Sequence, residues 1–275
     1  MASQQTPKII IYALPGSQFV GKVVAALDAR KIEHYVNFVA FADTKKRQKQ
    51  LPSGGTLVPE MKVTWGEEGK DPVVVPDSEA ILHWLDDNMN AKFFPTKQAS
   101  EVSERASNKV LAGSVWYFNW ADPQGYTASM RRSIAESAFP SFVPSFIGGF
   151  VVDLLTKSTK TKFRNMAKEA FEVDDETLDN RDSIMNKLKE ELKYYQSFLK
   201  NEDQPYLLGN ESTAPDFSVY AQVERLVGDM GDGKVYAAIP ELKAETPDLA
   251  RFWKWHDHMR EEHPIKFKGK REPKE

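Results

Sequence analysis

Two hydroxyl-bearing turns in this chain are placed to do chemistry. Ser17 follows Pro15-Gly16 and precedes Phe19, Val23, Ala26, Leu27 and Arg30, which recur at helical spacing, so Ser17 caps the N-terminus of a helix. A hydroxyl beside the positive end of a helix dipole favours a bound anion. Asp77-Ser78 opens a second helix, whose apolar face is Ile81, Trp84 and Leu85. A helix N-terminus carrying a hydroxyl suits a carboxylate, and Asp77 would attract an ammonium group. Lys45, Lys46, Arg47, Lys49 and Gln50 form a basic stretch that reads as a solvated face or an anion contact.

Other chemistries are excluded by what the chain lacks. It has no cysteine, which removes disulfides, thiolate metal sites, iron–sulfur clusters and cysteine nucleophiles. His256 and His258 are two apart on a helix and face different ways, and His34 and His83 have no partner at ligand spacing, so no metal is expected. No H-E-x-x-H, G-x-S-x-G, Walker A or G-x-G-x-x-G pattern occurs. Thirty-seven basic against 40 acidic residues leave a formal charge of −3, with no electrostatic footprint for nucleic acid or an anionic membrane. Hydrophobic residues make up 41% of 275, ample for a globular core. Met1 to Lys8 is polar and carries no secretory pattern, so the reducing cytoplasm is the expected compartment. The longest apolar region, residues 139–155, is broken by Pro140, Pro144, Gly148, Gly149 and Asp153. It is expected to be a buried loop-and-helix insert or a pocket wall, with no transmembrane segment.

The elements that must position Ser17 and Asp77-Ser78 alternate in type. Lys8 to Tyr12 reads as a buried strand and His34 to Phe41 as a second. Met61 to Trp65 and Pro72 to Val75 read as two strands joined by the turn residues 66–71. The order is therefore β-α-β-(α)-β-β-α within the first ninety residues, after which Ala91 to Ser100 is a polar connection. Everything beyond reads helical, with amphipathic runs at Ile184, Leu188, Leu192, Tyr195, Leu199 and at Leu249, Phe252, Trp253, His256. The expected architecture is an α/β domain over residues 1–90, an all-helical domain over 101–264 and a charged tail over 265–275.

Four motifs in register carry a resemblance. Ser17-Gln18-Phe19-Val20-Gly21-Lys22-Val23, Leu57-Val58-Pro59, Asp77-Ser78-Glu79-Ala80-Ile81, and Pro205-Tyr206-Leu207-Leu208-Gly209 followed by Thr213-Ala214-Pro215-Asp216 resemble the cytosolic glutathione transferases. The match runs over most of residues 8–263. It implies a thioredoxin-like α/β domain followed by an all-helical domain, with glutathione as co-substrate. By this resemblance, Ser17 would hydrogen-bond the glutathione sulfur, with Tyr12 the second choice. Val58, before a cis Pro59, would pair with the cysteinyl backbone, and Asp77 and Ser78 would hold the γ-glutamyl end. Lys49 or Gln50, within the basic stretch, would meet the glycyl carboxylate. Trp116, Tyr117, Trp120, Phe142 and Phe146 would line a site for a hydrophobic small molecule. A homodimer is implied as well. The insert between Asp122 and about Asp174 is loosely similar to the failed-axon and metaxin-like branch.

The implied activity is thiolate formation by glutathione and attack on a hydrophobic electrophile, as in detoxification. Serine cannot form a mixed disulfide, so thiol-transfer chemistry is disfavoured. The alternatives are a non-catalytic binding or scaffold protein of the same fold, and a glutathione-dependent isomerase or lyase of a specialised pathway.

Overall fold

The computed structural model describes residues 7–41, 43–65, 71–138, 145–201, 203–228, 230 and 235–267. The N-terminal part contains β1 (Lys8–Ala13), α1 (Gln18–Ala29), β2 (Tyr35–Phe38), α2 (Thr44–Gln50), β3 (Glu60–Thr64), β4 (Val73–Pro76) and α3 (Ser78–Met89). The helical part contains α4 (Lys97–Asn108), α5 (Val110–Trp116), α6 (Pro123–Tyr126), α7 (Arg132–Ala138), α8 (Ser145–Phe171), α9 (Asp175–Asp179), α10 (Arg181–Gln196), α11 (Ala214–Val227) and α12 (Ala250–Glu262). This is the α/β-then-all-helical arrangement expected from the sequence. The second strand is shorter than expected, and α4 already begins at Lys97, where Thr96 caps it through the amide of Ala99. The turn residues 66–70 lie outside the described residues.

The sheet order is β2-β1-β3-β4, with β1 and β2 parallel and the other neighbours antiparallel. β1 is central and apolar because both its faces are covered: Ile9, Ile10, Ile11 and Ala13 are all buried. The register aligns Tyr12 with Glu60 and Glu60 with Pro76. The chain segments leaving those three positions therefore emerge at one end of the sheet, and they are the three motifs singled out above.

The two halves share a continuous core in which Ile9, Val23 and Ile81 join Leu111, Leu188, Phe217 and Phe252. Arg30 at the end of α1 fastens them, donating to Ala91 O at 2.7 Å and to Ser212 Oγ at 3.2 Å. α11 is buried along most of its length, and its start is fixed by Asp216. That carboxylate accepts from the amides of Leu207 (2.8 Å) and Thr213 (2.9 Å), from Thr213 Oγ1 (3.0 Å) and from Trp255 Nε1 (3.1 Å). Thr213 and Asp216 of the fourth motif form a capping box at this start. Four donors offset much of the cost of burying this carboxyl, although burial still pushes it up.

The long apolar run departs from expectation. Residues 139–144 lie outside the described residues, and from Ser145 onward the run is the first half of α8. Phe150, Leu154 and Leu155 are 71%, 67% and 69% exposed while Val152 is buried, so the described part of this stretch is a helix with one covered and one open face, and not an insert buried throughout. Composition registers apolarity but not whether a partner element covers it. No described helix is long and apolar enough to cross a membrane.

Candidate active site

Ser17 sits where β1 hands over to α1. The turn closes with Ser17 N donating to Leu14 O at 3.2 Å, and Gly16 adopts φ +73°, a conformation glycine takes without steric cost. Ser17 is the N-cap of α1, but the amide of Val20 reaches its Oγ at only 3.5 Å. A contact that long is weak, so the hydroxyl is little committed to its own helix. Tyr12 lies one turn earlier, half-buried within β1 and paired in register with Glu60 and Asn37. It is a strand residue and not part of a helix N-terminus.

The second and third motifs are joined directly. The Val58–Pro59 peptide bond is cis, and Pro59 O accepts a hydrogen bond from Asp77 N at 3.1 Å. Asp77 has φ +74°, uncommon for a non-glycine residue. Its carboxylate caps α3, accepting from Glu79 N at 2.7 Å and Ala80 N at 3.3 Å. Ser78 is 2% exposed and Asp77 is exposed. Val58 is half-buried against the apolar cluster that includes Ala13, Val20, Val36 and Trp120. Ser17, Val58-Pro59 and Asp77-Ser78 are thus gathered at one sheet end, with two helix N-termini among them.

The basic stretch is partly occupied by the chain itself. Gln50 Oε1 accepts from Ala40 N at 2.7 Å, and Arg47 donates to Ala40 O (3.0 Å), Phe41 O (2.6 Å) and Thr56 O (2.9 Å). Lys49 is exposed on the short helix α2. The aromatic candidates separate. Trp116 packs on the main core and Tyr117 is buried edge-on to Phe118 and Phe171, its hydroxyl pushed up to about 12 by burial. Trp120 belongs to the other cluster and stacks on Phe163, with centroids 5.1 Å apart. Phe142 lies outside the described residues, as does the side chain of Phe146.

Three features escaped the sequence reading. Lys22, 1% exposed, reaches from α1 to the Glu79 carboxylate on α3 and to Ser107 Oγ on α4 at 3.3 Å, tying together the helices that Ser17 and Asp77 cap. A lysine one position off the apolar face of α1 was the available signal. Val235, bridged to Met230, packs on Gly16: a Cβ there would lie 2.4 Å from Val235 Cγ2. Arg225 on α11 is 3% exposed and donates to Tyr236 O at 3.0 Å and Ser129 Oγ at 3.2 Å, so it fastens the residue after Val235. Burial lowers its guanidinium to about 9.

Residues 157–263 match the family model described as glutathione S-transferase, C-terminal domain. Among solved structures the chain is similar to a glutathione transferase family member from Pseudomonas fluorescens with two glutathione bound, at 14% identity, TM-score 0.51, over 92% of this chain and 88% of that one. The chain has the glutathione transferase fold. It is also similar to glutaredoxin 2 from Salmonella typhimurium in complex with glutathione, at 16% identity, TM-score 0.50, over 94% and 95% of the two chains. A glutathione transferase from Burkholderia graminis, with two glutathione molecules bound per subunit, aligns at 14% identity and TM-score 0.50, over 92% and 83%. Among curated proteins, no sequence matches this chain. At such identities the likeness establishes the glutathione transferase fold, and what Ser17, Val58 and Asp77-Ser78 do rests on their own geometry.

Proposed function

We propose that this chain binds glutathione at the sheet end bearing Ser17, Val58-Pro59 and Asp77-Ser78, and activates its thiol for attack on an electrophile. The observation that carries this reading is the aligned register of Tyr12, Glu60 and Pro76, together with the Asp77 N to Pro59 O bond that joins two of the three motifs. In this reading the backbone of Val58 pairs with the cysteinyl unit as an added strand would. The γ-glutamyl carboxylate meets the start of α3 at Ser78, and Asp77 faces its ammonium group. Lys49 or Gln50 is the candidate partner of the glycyl carboxylate.

Ser17 then has one task. Its Oγ–H donates to the sulfur, and that bond together with the dipole of α1 favours thiolate over thiol. The thiol proton leaves to solvent. The sulfur lone pair forms the new C–S bond as the electrophile releases its leaving group, or takes up a proton if the reaction is an addition. Residues 1–90 would bind the tripeptide and residues 101–264 would select the electrophile, in a cytoplasmic homodimer.

A second reading is favoured by the exposed Phe150, Leu154 and Leu155 of α8: a protein of this fold that acts by binding another macromolecule. Calorimetry with glutathione on the Asp77→Ala and Ser78→Ala variants separates the two. The first reading expects weaker binding in both, by about tenfold for loss of a hydrogen bond to a charged group. Unchanged affinity in both removes these residues from a glutathione site.

A further inference from the structure

Ser17 is held loosely by its own turn and firmly from outside. Within the turn, Ser17 N reaches Leu14 O at 3.2 Å and Val20 N reaches Ser17 Oγ at 3.5 Å, both long for hydrogen bonds. From outside, Val235 of the helical half presses on Gly16: a Cβ there would lie 2.8 Å from Val235 Cβ and 2.9 Å from its Cγ1. Met230 reaches Gly21 inside α1, where a Cβ would lie 3.0 Å from Met230 Cε. Met230 and Val235 are bonded to each other through their backbones, at 2.9 and 3.0 Å. They share a cluster with Ala13, Val20 and Val58, so the pair packs on the passage from β1 to α1.

Val235 is in turn anchored through its neighbour. Tyr236 O accepts from Arg225 Nη1 at 3.0 Å and lies 2.6 Å from Ser129 Oγ, while Tyr236 N donates to Ser133 Oγ at 3.2 Å. Ser133 Oγ donates to Ser129 O at 2.8 Å, which joins these anchors to one another. They come from α11, from the π-helical turn Thr127–Arg131 and from α7. Arg225 is buried, and no carboxylate pairs with it among the described residues. An unpaired buried cation is a poor source of stability. What its hydrogen bond to Tyr236 O fixes is the backbone one residue from Val235.

We propose that Val235 is a positioning residue for Ser17: the helical half, through Arg225, Ser129 and Ser133, holds Val235 against Gly16 and thereby fixes where the Ser17 hydroxyl sits. The consequence for a bound thiol rests on the glutathione reading above, and the consequence for the turn does not.

The test is hydrogen–deuterium exchange of the full chain without ligand, as wild type, Val235→Ala, Val235→Thr and Val219→Ala. Val219 is a buried valine of α11 in the main core, so its truncation leaves a cavity of the same kind away from Gly16. Val235→Ala should speed exchange of the Ser17 and Gly21 amides about tenfold beyond any change in the α11 core, and Val219→Ala should show no such excess. Val235→Thr keeps the shape that meets Gly16 but buries a hydroxyl. It should therefore lower the melting temperature while leaving Ser17 and Gly21 protected relative to the core. With glutathione present, Val235→Ala should raise the pKa of the bound thiol by about one and lower turnover about tenfold, at nearly unchanged affinity. A wild-type chain that leaves the thiol unactivated would sink the glutathione reading, and the exchange result would still decide this proposal. Excess exchange at Ser17 and Gly21 no greater in Val235→Ala than in Val219→Ala would overturn it. So would a Val235→Thr chain as deprotected there as Val235→Ala.

Discussion

Removing one oxygen from Ser17 separates a structural role from a chemical one. As a helix cap, Ser17 makes a single 3.5 Å contact with the amide of Val20. Loss of a good cap costs about 0.5–2 kcal/mol, and so long a contact belongs at the low end, about 0.5 kcal/mol. In a chain of this size that moves the thermal midpoint by about 1–2 °C. As a donor to a thiolate, the same hydroxyl contributes a charge-assisted bond of about 1.5–3 kcal/mol. Losing it should raise the pKa of the bound thiol by about one to two and lower turnover about 10- to 100-fold near neutrality, with glutathione affinity changed little. The assay is a pH titration of thiolate absorbance of bound glutathione in wild type, Ser17→Ala and Ser17→Thr, beside their melting curves. Ser17→Thr keeps the hydroxyl and should stay close to wild type. A midpoint lowered by more than about 6 °C in Ser17→Ala, with the thiol unchanged, would make Ser17 a cap and refute the reasoning.

Three further outcomes follow from the packing. Asp216→Ala strands the amides of Leu207 and Thr213 and the Trp255 indole in the core, and should lower the urea unfolding free energy by about 3–5 kcal/mol. A loss below about 1 kcal/mol would mean that water replaces the carboxylate. Gly16→Ala meets both φ +73° and Val235 at 2.4 Å, and should destabilise the chain and weaken glutathione binding together; wild-type affinity would show that Val235 yields freely. Stability should fall as pH drops from neutral. Burial holds His256 below its usual range despite Glu224. Glu224 is itself held low, because its bonds to His256 and Arg260 outweigh burial. The unfolded chain therefore binds more protons than the folded one, first below the ordinary histidine range and then below the carboxylate range, so both groups withdraw stability on acidification. Melting curves across that interval check this, and a His256→Gln variant should show the shallower slope.

The local chemistry of this fold was open to reading from the sequence, and the long-range contacts were not. Ser17, Asp77 and Thr213–Asp216 announce themselves because capping is decided within four residues. The β1 run announces itself because a strand buried on both faces must be apolar throughout. Lys22 with Glu79, Val235 on Gly16 and Arg225 under Tyr236 join residues 57, 219 and 11 positions apart, and nothing local marks such partners. The same limit explains Phe150, Leu154 and Leu155: their apolarity was visible, and their exposure depends on what does or does not pack over α8. Gln50 reads as an amide for a ligand carboxylate, and only the tertiary structure shows its oxygen accepting from Ala40 N, ten residues back. The aromatic candidates were visible as types, but that Trp116 packs on the main core and Trp120 on the other cluster, against Phe163, is again set by tertiary contacts.

The most direct measurement is calorimetric binding of glutathione to the wild-type chain, followed by ultraviolet difference spectra of the bound thiol from about pH 5 to about pH 9. The account predicts binding, with thiolate absorbance appearing well below the free thiol's pKa of about 8.5. Absence of binding, or a bound thiol that titrates as it does in water, would contradict it.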